Sequence, residues 1–510
     1  MSMTTPIVDF VRRYAQSGTA RLHMPGHKGR PLLGFEPWDI TEIQGADELY
    51  EAEGIIARSE ANATQLFGTR HTYYSTEGSS QCIRAMLWLA MQGAAPAQHR
   101  PVLLAARNAH KALLYAAALL DFDIEWLWPA PEAQGALCSC PVSAQQLADA
   151  LARLAEQGSS PFGVYVTSPD YLGGLQDIAA LSAVCAGQGV PLLVDNAHGA
   201  YLHFLPEGSR HPIRLGAAMC CDSGHKTLPV VTGGAYLHLG PGAPVQSEAA
   251  VRNALALFGS TSPSYLILQS LDACNRMLAG EYPRQVGACC RRLEVLRSRL
   301  NAASAAAGCG LPLARSGPDQ EPMKLTLDAA ALGLSGQALA QKLRQAGIEC
   351  EYADPRYLVL MPTPLNPPQD LQKLEAVLLE LCAADRAPVC AGLADEAEAF
   401  RALAQQAVCR CTVRQAVFAA QETLPAREAL GRVCAMPTVS CPPAIPIVVS
   451  GEGIGPAALE LLERYGVTAV SVLRRERAGS TEKAAIPLFS VLFSAEHLTL
   501  AGGQGINISV

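Results

Sequence analysis

No apolar run in the 510 residues approaches the roughly 18 needed to span a bilayer as a helix. The opening residues, MSMTTPIVDFVRRYAQSG, also lack the apolar core of a secretory signal, so a cytoplasmic protein is expected. Charge is scarce as well. Asp, Glu, Lys and Arg supply 17% of the chain, against about 25% in typical globular proteins, while hydrophobic types reach 49%. Much of the surface is therefore expected to be buried between domains or subunits, which favours an obligate oligomer. There is no basic excess: the net charge of -7 gives no attraction to phosphate backbones or anionic lipid, so small molecules are the expected partners, not nucleic acid or a membrane. Zinc-type spacing is missing too, because Cys138/Cys140 and Cys409/Cys411 have one residue between them where paired ligands want two or more, and no metal is assigned. The 17 cysteines sit in apolar stretches or as neighbours, such as Cys220 with Cys221 and Cys289 with Cys290, and read as reduced core thiols.

What is present is an alternation of short apolar β-rich runs with helical stretches from about residue 70 to residue 240. The runs are VLLAA at 102–106, GVYV at 163–166, LLV at 192–194 and AYLHL at 235–239; helix-like segments cover 81–92 and 179–189. This pattern predicts parallel strands joined by helical crossovers. Polar clusters follow three of the runs, at 107–110, 167–170 and 195–198, and the carboxyl ends of strands in an open α/β sheet form the ligand crevice. A helix-rich stretch from 264 to 307 precedes a smaller α/β pattern of MKLTLDA, LSGQALAQKLRQAG, YLVLM and LQKLEAVLLELC. The tail contains the proline-dense MPTVSCPPAIPIVVSGEG at 436–453, which imposes an extended path suited to a loop laid across another domain. The resulting division is an N-terminal arm (1–35), a large domain (36–300), a small α/β domain (301–388) and a C-terminal domain (389–510).

Chemistry concentrates in Ser223-Gly224-His225-Lys226-Thr227. A lysine alone there is unremarkable, but Asp195 ends an apolar strand in LLVDNAHGA, where a carboxylate needs a cationic partner. A lysine nucleophile and a buried acid for a pyridinium nitrogen are the two protein groups that pyridoxal 5'-phosphate chemistry most needs. Gly78-Ser79-Ser80, just before the helix-like run from Gln81, offers free backbone N–H groups and hydroxyls to the cofactor's phosphate. His110, ending its strand in AARNAH, is placed to stack on the cofactor.

HMPGHKG at 23–29, DITEIQGADELYEAEG at 39–54, the RNAHK, DNAHG and SGHKT clusters, STSPSYLILQSLDA at 260–273 and CPPAIPIVVSGE at 441–452 follow one another in the order of a known set of motifs. The chain resembles the Orn/Lys/Arg decarboxylases, PLP-dependent enzymes of the aspartate aminotransferase-like fold type I, over nearly its whole length. Its length resembles the short biosynthetic-type members. The resemblance implies an α/β large domain with a mostly parallel sheet between helices, plus a small α/β domain and a C-terminal domain. It implies that Lys226 holds the cofactor covalently, Asp195 pairs with the pyridine nitrogen, His110 stacks on the ring and His198 contacts the ring hydroxyl. Ser79, Ser80, Ser223 and His225 are the implied phosphate ligands, beside Gly78. Thr261 is implied to reach the neighbouring subunit's cofactor in a homodimer or a higher oligomer of dimers, and Glu452 to face the cationic end of the substrate.

Five positions depart from the family's usual pattern: Glu77 before the phosphate-binding glycine, Tyr50 in place of histidine, and Cys441, Ala444 and Ser450 in place of Tyr, Gly and Pro. Glu77 puts a carboxylate near a dianion and must turn away for the cradle to work. The activity the resemblance implies is decarboxylation of arginine, lysine or ornithine to the amine, in polyamine metabolism, with His225 or Lys226 returning a proton to the α-carbon. An aminotransferase or lyase on the same fold is the alternative. A non-catalytic paralogue is a third reading, against which the retained Lys226 and Asp195 argue.

Overall fold

The structure, a computed structural model, describes residues 3–94, 100–129, 136–245, 247–384, 394–437 and 443–475, with side chains from Glu398 in the segment that begins at 394. Cys441 and Pro442 lie outside these residues, as does the chain beyond 475. The strands of the main sheet are β1 (His71–Ser75), β2 (Val102–Ala106), β3 (Asp123–Leu127), β4 (Gly163–Thr167), β5 (Leu192–Asp195), β6 (Met219–Asp222) and β7 (Ala235–Leu239), in the order β1-β7-β6-β5-β4-β2-β3. β6, β5, β4, β2 and β3 are parallel, as their alternation with helices predicts.

AYLHL, read from sequence with the parallel strands, is corrected by the structure: β7 runs antiparallel to both β1 and β6. The reason is the connection between β6 and β7, which holds only the one-turn helix Gly224–Thr227 and makes no crossover over the sheet face. Because β7 reverses twice, β1 points the same way as β6. The carboxyl ends of β1, β2, β4, β5 and β6 therefore share one edge.

Both faces of the sheet are buried, with side chains alternating across it at the period of two that pleating imposes. Leu103, Ala105, Tyr165 and Leu193 face one core, while Leu104, Ala106, Val164, Val166, Leu192 and Val194 face the other. The first core is closed by α1 (Pro6–Gln16), α2 (Ile55–Phe67), α3 (Ser79–Gly93) and α4 (Lys111–Leu120); α5 (Ala144–Glu156) and α6 (Ile178–Gly187) close the second. α1 has no capping side chain of its own, and Asp272 in the helix Tyr265–Leu278 accepts from Ile7 N–H and Val8 N–H at 2.9 and 3.0 Å instead.

A three-stranded antiparallel sheet, β8 (Leu325–Asp328), β10 (Tyr357–Leu360) and β9 (Tyr352–Ala353), carries the helices Gly336–Gln345 and Pro368–Ala383. β11 (Gln421–Pro425) pairs with β12 (Ala469–Leu473) in a third sheet, whose core includes Tyr171, Tyr352 and Val359 beside residues of the tail. From Pro443 to Val449 the proline-dense tract runs without helix or strand, buried from Ala444 on, as its composition predicts. The described cysteines are all free thiols. Among the described residues no helix is long and apolar enough to cross a membrane.

Candidate active site

The shared strand edge opens into a cavity of about 340 Å³. Gly78, Ser79, Ser80, Asn108, His110, Thr167, Tyr171, Asp195, His198, Ser223, His225, Lys226 and Glu351 line it, together with Pro443, Ala444 and Ile445 of the tract. The structure thus brings nine sequence-predicted site residues, from Gly78 to Lys226, into one place, and closes that place with the segment whose prolines predicted a loop across another domain.

The anion cradle is built on backbone. Gly78 has φ 70° and ψ 179°, a conformation essentially restricted to glycine, and its N–H donates to Gly233 O at 2.8 Å. A Cβ on Gly233 would lie 3.0 Å from Thr76 O, so this glycine is required by close approach of two loops. The turn delivers Ser79 and Ser80 as the first residues of a 15-residue helix, where N–H groups have no intrahelical partner. Ser223 Oγ donates to Ser79 Oγ at 2.9 Å and ties the cradle to the lysine turn. Glu77 is exposed and outside the cavity lining, which removes its conflict with an anion.

Asp195 is buried at the end of β5. Tyr165 Oη donates to its Oδ2 at 3.1 Å and Ala197 N–H to its Oδ1 at 3.1 Å, while no Lys or Arg pairs with it among the described residues. A buried carboxylate of this kind is an incomplete ion pair. Two further buried polar atoms in cavity-lining residues, Asn108 Oδ1 and Thr167 Oγ1, have no hydrogen-bond partner among the described residues.

Lys226 Nζ lies 3.1 Å from His198 Nε2, and the other ring nitrogen, Nδ1, lies 3.1 Å from Nζ of a second lysine, Lys324. Burial drives the His198 imidazole well below the ordinary histidine range, helped by Lys226 and Lys324. Burial likewise brings His110 down to about 4. His110 caps α4, its Nδ1 accepting from Ala112 N–H at 3.1 Å, and Lys111 N–H donates to Ala444 O at 2.9 Å, so one turn positions both the histidine and the covering tract. His225 is also lowered by burial; its Nδ1 donates to Gly234 O at 3.1 Å, which leaves Nε2 as its proton-exchanging atom.

Two expected residues are not brought to the cavity within one chain. Thr261 is exposed in the loop before Tyr265. Glu452 is buried beneath the tract, where its Oε2 accepts from Arg107 at 3.0 Å and from Val449 N–H at 2.9 Å. The physical reason is Arg107: buried, flanked by Trp126 and Trp128 at 4.9 and 5.0 Å, it requires a counter-ion, and Glu452 supplies it. The acid that does line the cavity beside Asp195 is Glu351, whose Oε1 accepts from Tyr171 Oη at 2.7 Å. Glu351, Tyr171 and Lys324 escaped sequence reasoning; the one visible signal was a lysine alone in the apolar run MKLTL.

The sequence profile of the Orn/Lys/Arg decarboxylase major domain matches residues 5–309. Among curated proteins, an arginine decarboxylase of Bacillus subtilis is 27% identical over 461 residues, covering 88% of this chain and 91% of that protein. An arginine decarboxylase of Bacillus cereus is 26% identical over 461 residues, 88% of this chain and 96% of the relative. Among solved structures, the constitutive lysine decarboxylase of Escherichia coli superposes with a TM-score of 0.73 at 18% identity, covering 92% of this chain and 82% of that one. The likeness carries the expected fold type I architecture. The chain belongs to the Orn/Lys/Arg decarboxylase family.

Proposed function

We propose that this protein is a pyridoxal 5'-phosphate-dependent decarboxylase that converts arginine, lysine or ornithine to the corresponding amine. The observation that carries the reading is the junction, in one cavity, of a lysine turn, an anion cradle and a buried carboxylate lacking a cation. The donor set fits the cofactor: Lys226 would hold it covalently, the N–H groups and hydroxyls of Ser79 and Ser80 with Ser223 and His225 would take its phosphate, and Asp195 would complete an ion pair with the ring nitrogen. The orphaned Asn108 Oδ1 and Thr167 Oγ1 are buried acceptors that a bound group's donors would satisfy. When bound, pyridoxal phosphate supplies an electron sink for the pair left by the departing carboxylate.

The protein's own groups do the rest. Asp195, held by Tyr165 and the Ala197 N–H, fixes positive charge at one end of the cavity, and His110 closes it from the side of α4. Pro443 to Ile445 restrict water. The proton that replaces carbon dioxide at the substrate's α-carbon comes from Lys226 Nζ, or from His225 Nε2 once that nitrogen has taken up a proton, since the Nδ1 proton of His225 is held by Gly234 O. Thr261 is assigned to the partner's site in a homodimer, a reading supported by Leu22, Leu32 and Leu33 of the N-terminal arm, which are 94%, 78% and 80% exposed in the single chain.

The test is an assay of purified protein with the cofactor against arginine, lysine and ornithine in the absence of any keto acid. Release of carbon dioxide with the matching amine is expected from one of the three. Activity only when a keto acid is supplied would make the protein an aminotransferase instead. Borohydride reduction and peptide mapping should place the pyridoxyl group on Lys226, and a label on any other lysine overturns the assignment.

A further inference from the structure

Lys324, immediately before β8, is a buried cation that the reading above does not use; it is 2% exposed. Its Nζ lies 3.1 Å from Asp170 O, 3.3 Å from Tyr171 O and 3.1 Å from His198 Nδ1. An ammonium carries three protons and no lone pair, so these three acceptors satisfy it fully. The consequence passes through the imidazole. When Nδ1 accepts, the ring's single proton sits on Nε2, and Nε2 lies 3.1 Å from Lys226 Nζ. A nitrogen that receives this N–H must offer a lone pair, which a lysine has only as the free amine.

Both lysines cannot be ammonium in this arrangement, since the imidazole between them would have to accept on both nitrogens and carry no proton. The chain Lys226, His198 and Lys324 therefore shares one proton between its two ends. In one state Lys324 is charged, His198 is protonated on Nε2 and Lys226 is neutral; in the other, one proton has left Lys324 for Lys226, and the ring proton has moved to Nδ1. The surroundings select the first. Lys324 has two fixed carbonyl acceptors, the face of Tyr171 at 5.7 Å, and the carboxylates of Glu321, Asp170 and Glu351 nearby. Lys226 faces His110, His198 and His225, each held neutral by burial, with Asp195 in the same cavity. Burial lowers Lys324 to about 8, which leaves it charged at neutral pH.

We propose that Lys324 is a positioning residue: it fixes His198 with its proton on Nε2 and thereby keeps Lys226 as a neutral amine, ready to attack a carbonyl. The value of this lies in the chemistry of amines, because an ammonium has no electron pair to form a bond. The proposal rests on Lys226 being the attachment lysine, yet its test needs no cofactor. Competitive labelling of cofactor-free protein with trace acetic anhydride, mapped by peptide mass, titrates Lys226 apart from other lysines. Its midpoint is expected well below the ordinary value of about 10.4. Lys324→Met keeps length and removes charge and donor; the Lys226 midpoint should rise, with labelling at neutral pH falling roughly tenfold for each unit. Lys324→Gln retains an N–H for Nδ1 and should keep the His198 proton on Nε2 in histidine nitrogen NMR. An ordinary midpoint in the wild-type protein, or an unmoved one in folded Lys324→Met, overturns the proposal. Should Lys324→Met not fold, the wild-type His198 spectrum decides, a proton on Nδ1 being fatal. A borohydride label on another lysine would instead overturn the cofactor reading while leaving this titration intact.

Discussion

Ser450 shows how a departure from family pattern is absorbed at one residue. It stands where proline is usual, is 1% exposed, and its Oγ has no hydrogen-bond partner among the described residues. A hydroxyl desolvated without compensation costs on the order of 1 to 3 kcal/mol. Ser450→Ala is therefore expected to raise the unfolding free energy measured in urea by roughly 1 kcal/mol, without changing turnover; a loss of stability would mean the hydroxyl is bonded after all. Ala444, in place of glycine, adopts φ 59°, a left-handed conformation that costs a residue with a Cβ about 1 kcal/mol. It is tolerated because Ala444 O holds Lys111 N–H. Tyr50 joins the core, its Oη accepting from Gln81 Nε2 at 2.9 Å below the first turn of α3. None of these three residues replaces a lining side chain that carries charge.

Between elements, the Arg107–Glu452 pair fastens the covering tract to the end of β2. Arg107 also donates to Ile447 O at 3.0 Å, so one guanidinium holds both the backbone and the acid of the tract. Removing one partner of a buried pair strands the other. Glu452→Gln is expected to cost about 3 kcal/mol in denaturant unfolding, and the double variant Glu452→Leu with Arg107→Met should recover much of it. If Glu452→Gln is as stable as the parent but loses affinity for the basic substrate, the carboxylate serves the substrate, as the resemblance implies, and not Arg107. Much at this scale was legible in sequence. The four runs read as strands form β2, β4, β5 and β7, and the segment read as a helix over 81–92 forms α3 over 79–93. HTYYS and DIEWL, which became β1 and β3, were not: the first mixes polar and aromatic residues, and the second lies at the sheet edge with only Leu127 buried. Such strands are specified by their neighbours, not by their own hydrophobicity.

Across the whole molecule, several histidines are buried in the neutral form. Burial lowers His110 and His203 from the ordinary value to about 4, and lowers His198, His225 and His238 as well. Between about pH 6.5 and pH 4 the unfolded chain binds protons that the folded one refuses, so stability is full above that window and falls as pH falls through it. Asp222 adds to the loss at lower pH: burial alone would raise its carboxyl, but His211 and His238, at 3.0 and 3.1 Å, bring it below the ordinary range. Asp272 works in the opposite sense, raised by burial to about 6, and softens the upper part of the window. Thermal unfolding at a series of pH values should show a melting temperature that is flat near neutrality and declines steeply below about pH 6. A flat profile down to pH 4 would show that these histidines remain solvated.

The local chemistry of the sequence determined which residues make the candidate site. Asp195, His110 and His198 each follow an apolar run, and strand ends at one edge of a parallel sheet must converge, while Lys226 and the glycine-serine turn were legible from their own residue types. The proline-dense tract was equally legible as a cover, since its backbone has few conformations open to it. Tertiary structure alone decided which charges meet. Lys324 lies far along the chain from His198, and Arg107 from Glu452; both pairings arise because a buried charge takes the best partner that packing brings within reach, and no spacing in the sequence encodes that distance. The antiparallel course of β7 was decided in the same way, by a connection that makes no crossover, although AYLHL is a short, mostly apolar run like the parallel strands of the sheet.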